Sequence, residues 1–419
     1  MKPHTYDIII CGLGVGACLL LRELRRKQLI DKFSICILEP EIIKQSGKAL
    51  CFWDKPNSRF VAENEDIISI SWSHAEVPPL KKQIIEPYRY YKVQSQLLYK
   101  SIKSLITEHN ITLMSEYVSD IIESSDELMI QTDSQTYFAH RVFDNRPPMS
   151  ISSDKTILKQ SFWGLYIQTE QSSFCKDSIC FMDFDIPQDG QTQFVYILPN
   201  SEHHALVEIT RFGTELLSES LANERIHNFI IRKFGAYTVT DSENGIIPMT
   251  TKPFLFETPK NVTLLGMRAG AIKPSTGYAF STMLQHAQDI CVNIHEPVVT
   301  IQRNRRFQFY DTLLIDILSK YPEQGNIIFP QLFKHQSITR VLTFLQESTS
   351  LRTELQIFSR LPWKPFLHSV HRNTQYKKEM ITFISVLIYI CSSFYIPNIV
   401  NFIFGIALVG GLLLIGIPH

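Results

Sequence analysis

The chain has 419 residues, 44% hydrophobic and 20% charged, which is enough apolar material for two or three folding units and too much for a disordered chain. Basic and acidic residues balance at 41 each, so no overall field draws the protein to nucleic acid or another polyanion. Eight cysteines (Cys11, Cys18, Cys36, Cys51, Cys175, Cys180, Cys291 and Cys391) show neither a CxxC pair nor zinc-site spacing with histidine, so they read as small buried hydrophobes in a reducing compartment and no metal site is expected.

Residues 6–11, YDIIIC, form a short apolar run suited to a parallel strand buried on both faces. The turn GLGVGA follows, then the helical stretch CLLLRELRRK and a second strand at FSICILEP. Gly12, Gly14 and Ala17 fit GxGxxG/A, with Leu13, Val15 and Gly16 completing the loop. In such a βαβ start the first glycine permits the tight turn and the second lets the backbone approach a pyrophosphate, while the small third residue lets helix and strand pack closely. The helix N-terminus offers free N–H groups to the phosphates. Glu39 ends the second strand, where an acid accepts hydrogen bonds from ribose hydroxyls, so FAD or NAD is preferred to NADP.

Further on, YYKVQSQLLYKSIKSLI has the helical spacing Val93, Leu97, Leu98, Ile102, Leu105, and strands are expected at ITLMSEYVSDII, ELMIQTD and YFAHRVFD. Short strands dominate from about 160 to 245. Within them Phe181–Phe212 holds two apolar stretches around a polar turn, with Glu208 set inside the second. Alternation puts Glu208 on one face with Leu206, Thr210 and Phe212. Two placements fit this pattern: a solvated edge position, or a buried acid whose charged form is disfavoured and which therefore keeps a proton near neutral pH. NVTLLGM returns to the first fold at 261–267, and residues 291–378 read as a helical region.

The chain thus divides into a first dinucleotide-binding part (1–160), a mainly β substrate domain (161–245), a return segment of the nucleotide fold (246–290), the helical region and a hydrophobic tail (379–419). From Met380 to Pro418 no residue is charged. The run exceeds the ~20 residues of one membrane span, and Pro397-Asn398 divides it. A hairpin of two spans, one span after an interfacial helix, or a buried helical pair all fit. Lys364, Arg372, Lys377 and Lys378 precede it and place that flank in the cytoplasm. The N-terminus has no secretory pattern, so the expected location is the cytoplasmic face of the cell membrane, with the lipid bilayer as a partner.

Several of these segments, taken in order, resemble the lycopene cyclases, FAD-dependent enzymes of carotenoid synthesis. They are YDIIICGLGVGA, CFWD, YYKVQSQLL, VFDNR, FWGLYIQT, MDFDIPQDGQTQFVYILP, ALVEITRF, ENGIIPM and GMRAGAIKPSTGYAF. The resemblance implies an α/β, Rossmann-like FAD-binding fold with an inserted mainly β substrate domain. It implies acid-catalysed, non-redox cyclisation of the ψ-ends of lycopene to β-rings with FAD in its reduced form, NAD(P)H being one source of reductant. Glu208 matches an essential acid usually set in Glu-Glu-Thr or Glu-Asp-Thr, and Ile209 stands where the second acid is usual. Gly266, Arg268, Gly270, Thr276 and Gly277 match an element beside the flavin, with Lys273 where histidine is common. An ordinary glutamate is protonated in only roughly one molecule in five hundred at pH 7, so the implied proton donor calls for burial. The nucleotide fold alone also suits a flavin oxidoreductase or monooxygenase of an apolar isoprenoid, or a carotenoid-binding subunit without activity. The terminal GLLLIGIPH is similar to the start of a region of membrane β-carotene dioxygenases, which suggests a truncated fusion.

Overall fold

A computed structural model of the chain describes residues 5–41, 48–124, 127–148, 157–251 and 258–373. In chain order these form β1 (Thr5–Cys11), α1 (Val15–Arg26), β2 (Ile35–Leu38), β3 (Ala49–Asp54), α2 (Arg59–Ala62), β4 (Ile68–Trp72), β5 (His74–Glu76), β6 (Gln83–Ile84), β7 (Arg89–Gln94) and α3 (Ser95–Glu108). Next come β8 (Thr112–Met114), β9 (Val118–Ser124), β10 (Glu127–Thr132), β11 (Thr136–Asp144), β12 (Leu158–Thr169), β13 (Ser178–Asp183), β14 (Thr192–Pro199) and β15 (His204–Gly213). Then follow α4 (Glu219–Phe234), β16 (Tyr237–Met249), β17 (Val262–Leu264), α5 (Phe280–Val292), α6 (Arg305–Lys320), α7 (Gly325–His335), α8 (Ile338–Leu345), α9 (Leu351–Phe358) and α10 (Trp363–Arg372).

One compact unit takes Met1–Ser71, Arg89–Asp154 and Lys252–Gln302. Its main sheet runs β8-β2-β1-β11-β10-β9, with β17 beside β11. The strands from β8 to β11 and β17 are parallel, whereas β9 and β10 join antiparallel. Alternation in β1 and β2 explains their unbroken apolar sequence. Ile8, Ile10, Ile35 and Ile37 enter the core that includes α1, α3 and α5, while Ile9, Cys11, Cys36 and Leu38 enter a second core on the opposite face. Each fully buried isoleucine contributes roughly 1.5–3 kcal/mol. The stretch YYKVQSQLLYKSIKSLI, expected to be helical, is strand as far as Gln94 and helix only from Ser95. Its aromatic start pairs with CFWD, Tyr91 opposite Phe52 and Tyr90 opposite Trp53, and such pairs favour a sheet over a helix.

The other unit takes Trp72–Tyr88, Lys155–Thr251 and the described residues from Arg303 on. Its sheet order is β16-β12-β15-β14-β13-β5-β6. Neighbours are antiparallel except for β5 beside β13. Residues 72–88, read from sequence as part of the first domain, therefore belong to the second unit and give its sheet β5 and β6, and the opening of the 246–290 segment, Ile246–Met249, is the end of β16. The reason is that β5 and β6 need a neighbour, and β13 offers one across about a hundred residues. Helix α4, capped by Ser218 at its start and by Gly235 at φ +80° at its end, covers one face with Ala222, Ile226, Phe229 and Ile230 against Ile167, Val195, Val207 and Ile209. Phe307, Phe309, Tyr310 and Leu313 of α6 build a separate aromatic core with Phe344, Phe358 and Phe366.

Cys11, Cys18, Cys36, Cys180 and Cys291 are buried as expected. Cys175 is not: it is exposed, with the Lys82 ammonium 3.4 Å from its sulfur, because it lies in the turn before β13 rather than in a strand. Among the described residues no helix is long and apolar enough to cross a membrane. The tail at 379–419, Cys391 and the terminal GLLLIGIPH lie outside the described residues.

Candidate functional site

The glycine turn sits at the carboxyl end of β1. Gly12 has φ +88°, a left-handed conformation that costs other residues free energy, and its N–H donates to the Leu38 carbonyl at 2.8 Å. Gly14 is the extended N-cap of α1, whose first turn has no side-chain cap and no acidic residue. A Cβ on Gly14 would lie 2.4 Å from Asn145 Nδ2, and one on Gly16 would lie 2.8 Å from Asn145 Oδ1 and 3.0 Å from the Gly266 nitrogen. The missing side chains therefore admit two things: the amide of Asn145 and the backbone of the 266–270 turn. Glu39 accepts the Leu13 N–H at 2.6 Å through Oε2, which brings the acid of β2 onto the turn itself. An uncapped helix N-terminus behind a glycine turn at the carboxyl end of β1, with an acid beside the turn, fits the pyrophosphate and ribose of a dinucleotide.

The returning element is fastened by charge. Asp144, 2% exposed, takes Arg146 Nε and Nη2 at 2.9 Å and Arg268 Nη1 at 2.8 Å, so Arg268 spends part of its guanidinium within the protein. Gly266 and Gly270 adopt φ +56° and +72° to make the turn. Lys273 donates its N–H to the Tyr278 carbonyl and accepts those of Thr276 and Gly277, with Gly277 at φ +77°. This tight loop leads into α5, again without a side-chain cap. Phe52 and Trp53 are core: Phe52 stacks on Tyr91 and Phe280, and Trp53 packs edge-on against Tyr278.

In the other unit Glu208 lies on β15, an interior strand between β12 and β14, and is 8% exposed. The solvated edge placement is thereby excluded. Its register partner on β12 is Gly164, and Gly164 is in turn the partner of Glu243 on β16. Opposed residues of antiparallel strands share a face, so the two carboxyl groups flank a residue that has no side chain. A Cβ on Gly164 would lie 2.8 Å from Leu206 Cδ1, 3.2 Å from Glu243 Cγ and 3.5 Å from Glu208 Cβ. Thr210 donates its hydroxyl to Glu208 Oε1 at 2.7 Å, and Tyr166 donates to Glu243 Oε2 at 2.8 Å. Burial first, and the charge of Glu243 second, raise the Glu208 carboxyl to about 8, against a smaller opposing effect of the Thr210 hydrogen bond. Ile209 points to the other face, into the core under α4.

Sequence reasoning found Glu208 and missed Glu243, Gly164, Tyr166 as its partner and Asn145. ENGIIPM and VFDNR were visible as segments, but only strand register shows what each faces. His203 and His204 serve the turn before β15, with His203 Nδ1 3.2 Å from the Thr169 carbonyl and His204 Nδ1 3.1 Å from Ser201 Oγ.

A family model described as lycopene cyclase protein matches residues 7–371. Lycopene beta-cyclase of Pantoea ananas is 22% identical over 383 residues, spanning 88% of this chain and 97% of that protein. Among solved structures, a geranylgeranyl bacteriochlorophyll reductase-like protein from Thermoplasma acidophilum superposes with a TM-score of 0.51 at 12% identity, covering 90% of this chain and all of that one. FqzB gives 0.50 at 13% identity over 84% of this chain and 86% of its own. These two likenesses concern the fold; the family match covers nearly all of the described sequence, and the chain belongs to the lycopene cyclase family.

Proposed function

We propose that this protein is a lycopene β-cyclase that closes the ψ-ends of lycopene into β-rings with no net redox change. The observation that carries this reading is Glu208, a carboxyl group buried on an interior strand with a second carboxyl group across Gly164, an arrangement that disfavours its charged form. Protonation of the terminal double bond by Glu208 creates a tertiary cation, the neighbouring alkene attacks it, and return of a ring proton to the Glu208 carboxylate completes the ring and restores the acid. The Thr210 hydroxyl fixes the Glu208 carboxyl, and burial keeps water from taking its proton. Phe194 and Phe212, in edge-to-face contact 5.4 Å apart, lie on the same face and offer aromatic surface to developing positive charge.

FAD is the cofactor in this reading. Residues Gly12–Ala17, the start of α1 and Glu39 would hold its pyrophosphate and ribose, and in its reduced form it supplies an electron-rich ring that favours cationic charge nearby. Gly16→Ala is expected to weaken FAD binding about 10- to 100-fold, the equivalent of ~1–3 kcal/mol of overpacking against the Gly266 backbone. Flavin retention on purification and calorimetric titration measure this, and retention equal to the parent would count against the assignment. The uncharged stretch from Met380 to Pro418 suits delivery of a substrate confined to lipid, with the body of the protein at the cytoplasmic face.

The decisive assay is anaerobic, with purified protein, reduced FAD and lycopene in lipid. Ring formation at unchanged mass is the expected result. Loss of two hydrogens would instead make the protein a desaturase, oxygen-dependent mass gain a monooxygenase, and tight binding without turnover a carrier.

A further inference from the structure

We infer that Glu243 is a positioning residue for the proton of Glu208, supplying from β16 the second carboxylate that position 209 lacks. The functional meaning of this rests on the reading above, but its physical basis does not. Two carboxyl groups either side of Gly164 cannot both ionise cheaply, so the pair retains one proton to a higher pH than either would alone. What matters is which of the two keeps it.

Two features place the proton on Glu208, and a third brings the pair together. The first is the donor: Glu243 receives the phenol of Tyr166, whereas Glu208 receives the aliphatic hydroxyl of Thr210. A phenol is the more acidic donor and gives the stronger bond to a carboxylate. The second is position: β16 is the edge of the sheet, with a strand neighbour on one side only, while the Glu243 side chain is itself buried, 6% exposed. Glu208, on an interior strand, has Gly164 on one side and Tyr196 on the other. The third is the glycine itself. A Cβ at position 164 would meet Leu206 Cδ1 at 2.8 Å and Glu243 Cγ at 3.2 Å, so only glycine lets the Glu243 chain lie over this position beside Glu208.

The other titratable groups on this face do not compete for the role. On β12 the remaining one is Tyr166, on β14 it is Tyr196, and on β16 it is the exposed Asp241, opposite Tyr166. His204, four residues back on β15, is engaged with Ser201. Helix α6, which approaches β12 and β15, brings Asp311, and that carboxylate acts on Arg303.

The test is an infrared titration of the whole chain, following the carboxylic acid stretch that Glu208→Gln removes. In the parent this band should persist well above the ordinary carboxylate range. In Glu243→Gln its midpoint should fall by at least about one pH unit, a tenfold loss of proton affinity, because the like charge is gone. Glu243→Asp, which keeps the charge, should restore most of the difference, a result that a merely structural role for Glu243 would not give. A midpoint in Glu243→Gln that coincides with the parent overturns the inference. Should Glu243→Gln fail to fold, Tyr166→Phe decides: Glu243 then competes for the proton, so the Glu208 band should lose intensity near neutral pH, and an unchanged band overturns the inference equally. No carotenoid or flavin enters this measurement. An inactive protein with a shifted band would sink the cyclase reading alone, and an active one with an unshifted band would sink this inference alone.

Discussion

Glu208→Gln is expected to lower cyclisation by about a thousandfold or more while making the folded protein more stable at neutral pH. The first half follows from removing the general acid, a contribution worth roughly 10²–10⁴-fold on its own and larger where no other group can protonate an alkene. The second half follows from linkage. The Glu208 carboxyl is raised from 4.5 to about 8 in the folded protein, so between those values the native state holds a proton that the unfolded chain has released. Stability at this site is thus full below about pH 4.5 and is lost as pH rises toward 8. At 1.36 kcal/mol per unit the loss is at most on the order of 4–5 kcal/mol. Glutamine has nearly the same shape and nothing to ionise. Denaturant unfolding of parent and variant should coincide in acid and separate progressively up to about pH 8, with the variant the more stable. A variant that still forms rings at the parental rate would remove Glu208 from the mechanism. A stability difference that does not change with pH would show that the carboxyl is not held protonated.

The largest effect on folding is expected at Asp144. Its carboxylate is the common acceptor for Arg146 and Arg268 and is almost fully buried. Asp144→Ala would leave two guanidinium groups facing each other without their anion, a loss of about 3–5 kcal/mol for a broken buried pair. That is a large share of the 5–15 kcal/mol by which domains are ordinarily stable. Asp144→Asn, which keeps an acceptor and loses the charge, should fall between. Thermal unfolding measures the stability change, and flavin titration should show weakened binding in both variants, because Arg268 fastens the 266–270 turn whose Gly266 packs on Gly16. If Asp144→Ala melts with the parent, the arginines are solvated and the fastening is illusory.

The parts of this fold legible from sequence were those with a local cause. Ile8–Cys11 and Ile35–Leu38 are apolar at every position because both faces of their sheet are covered, and Gly12, Gly14 and Gly16 declare a turn because side chains have no room there. Glu208 was legible as a residue type, since an acid among alternating apolar residues is unusual, but its burial was not, because it depends on which strand lies on each side. Glu243 was beyond reach for the same reason. It stands 35 positions from Glu208 in a stretch whose outer face is polar, and meets it only through the register of β12 with both neighbours. The helical reading of residues 90–94 failed where short-range periodicity competed with cross-strand aromatic pairing, and the sequence around Val93 satisfies both patterns.

The way the two units share the chain bears on how it is made. Each consists of three separate stretches, and the first sheet has its last strand, β17, only at Val262–Leu264. A ribosome must therefore read through β12 to β16 of the second unit before the first can be completed. The half-built nucleotide fold, with β11 lacking its β17 neighbour, has to wait on the ribosome with an open parallel edge. No single proteolytic cut or truncation releases either unit whole, so work on this protein with isolated fragments would sever one sheet to obtain the other.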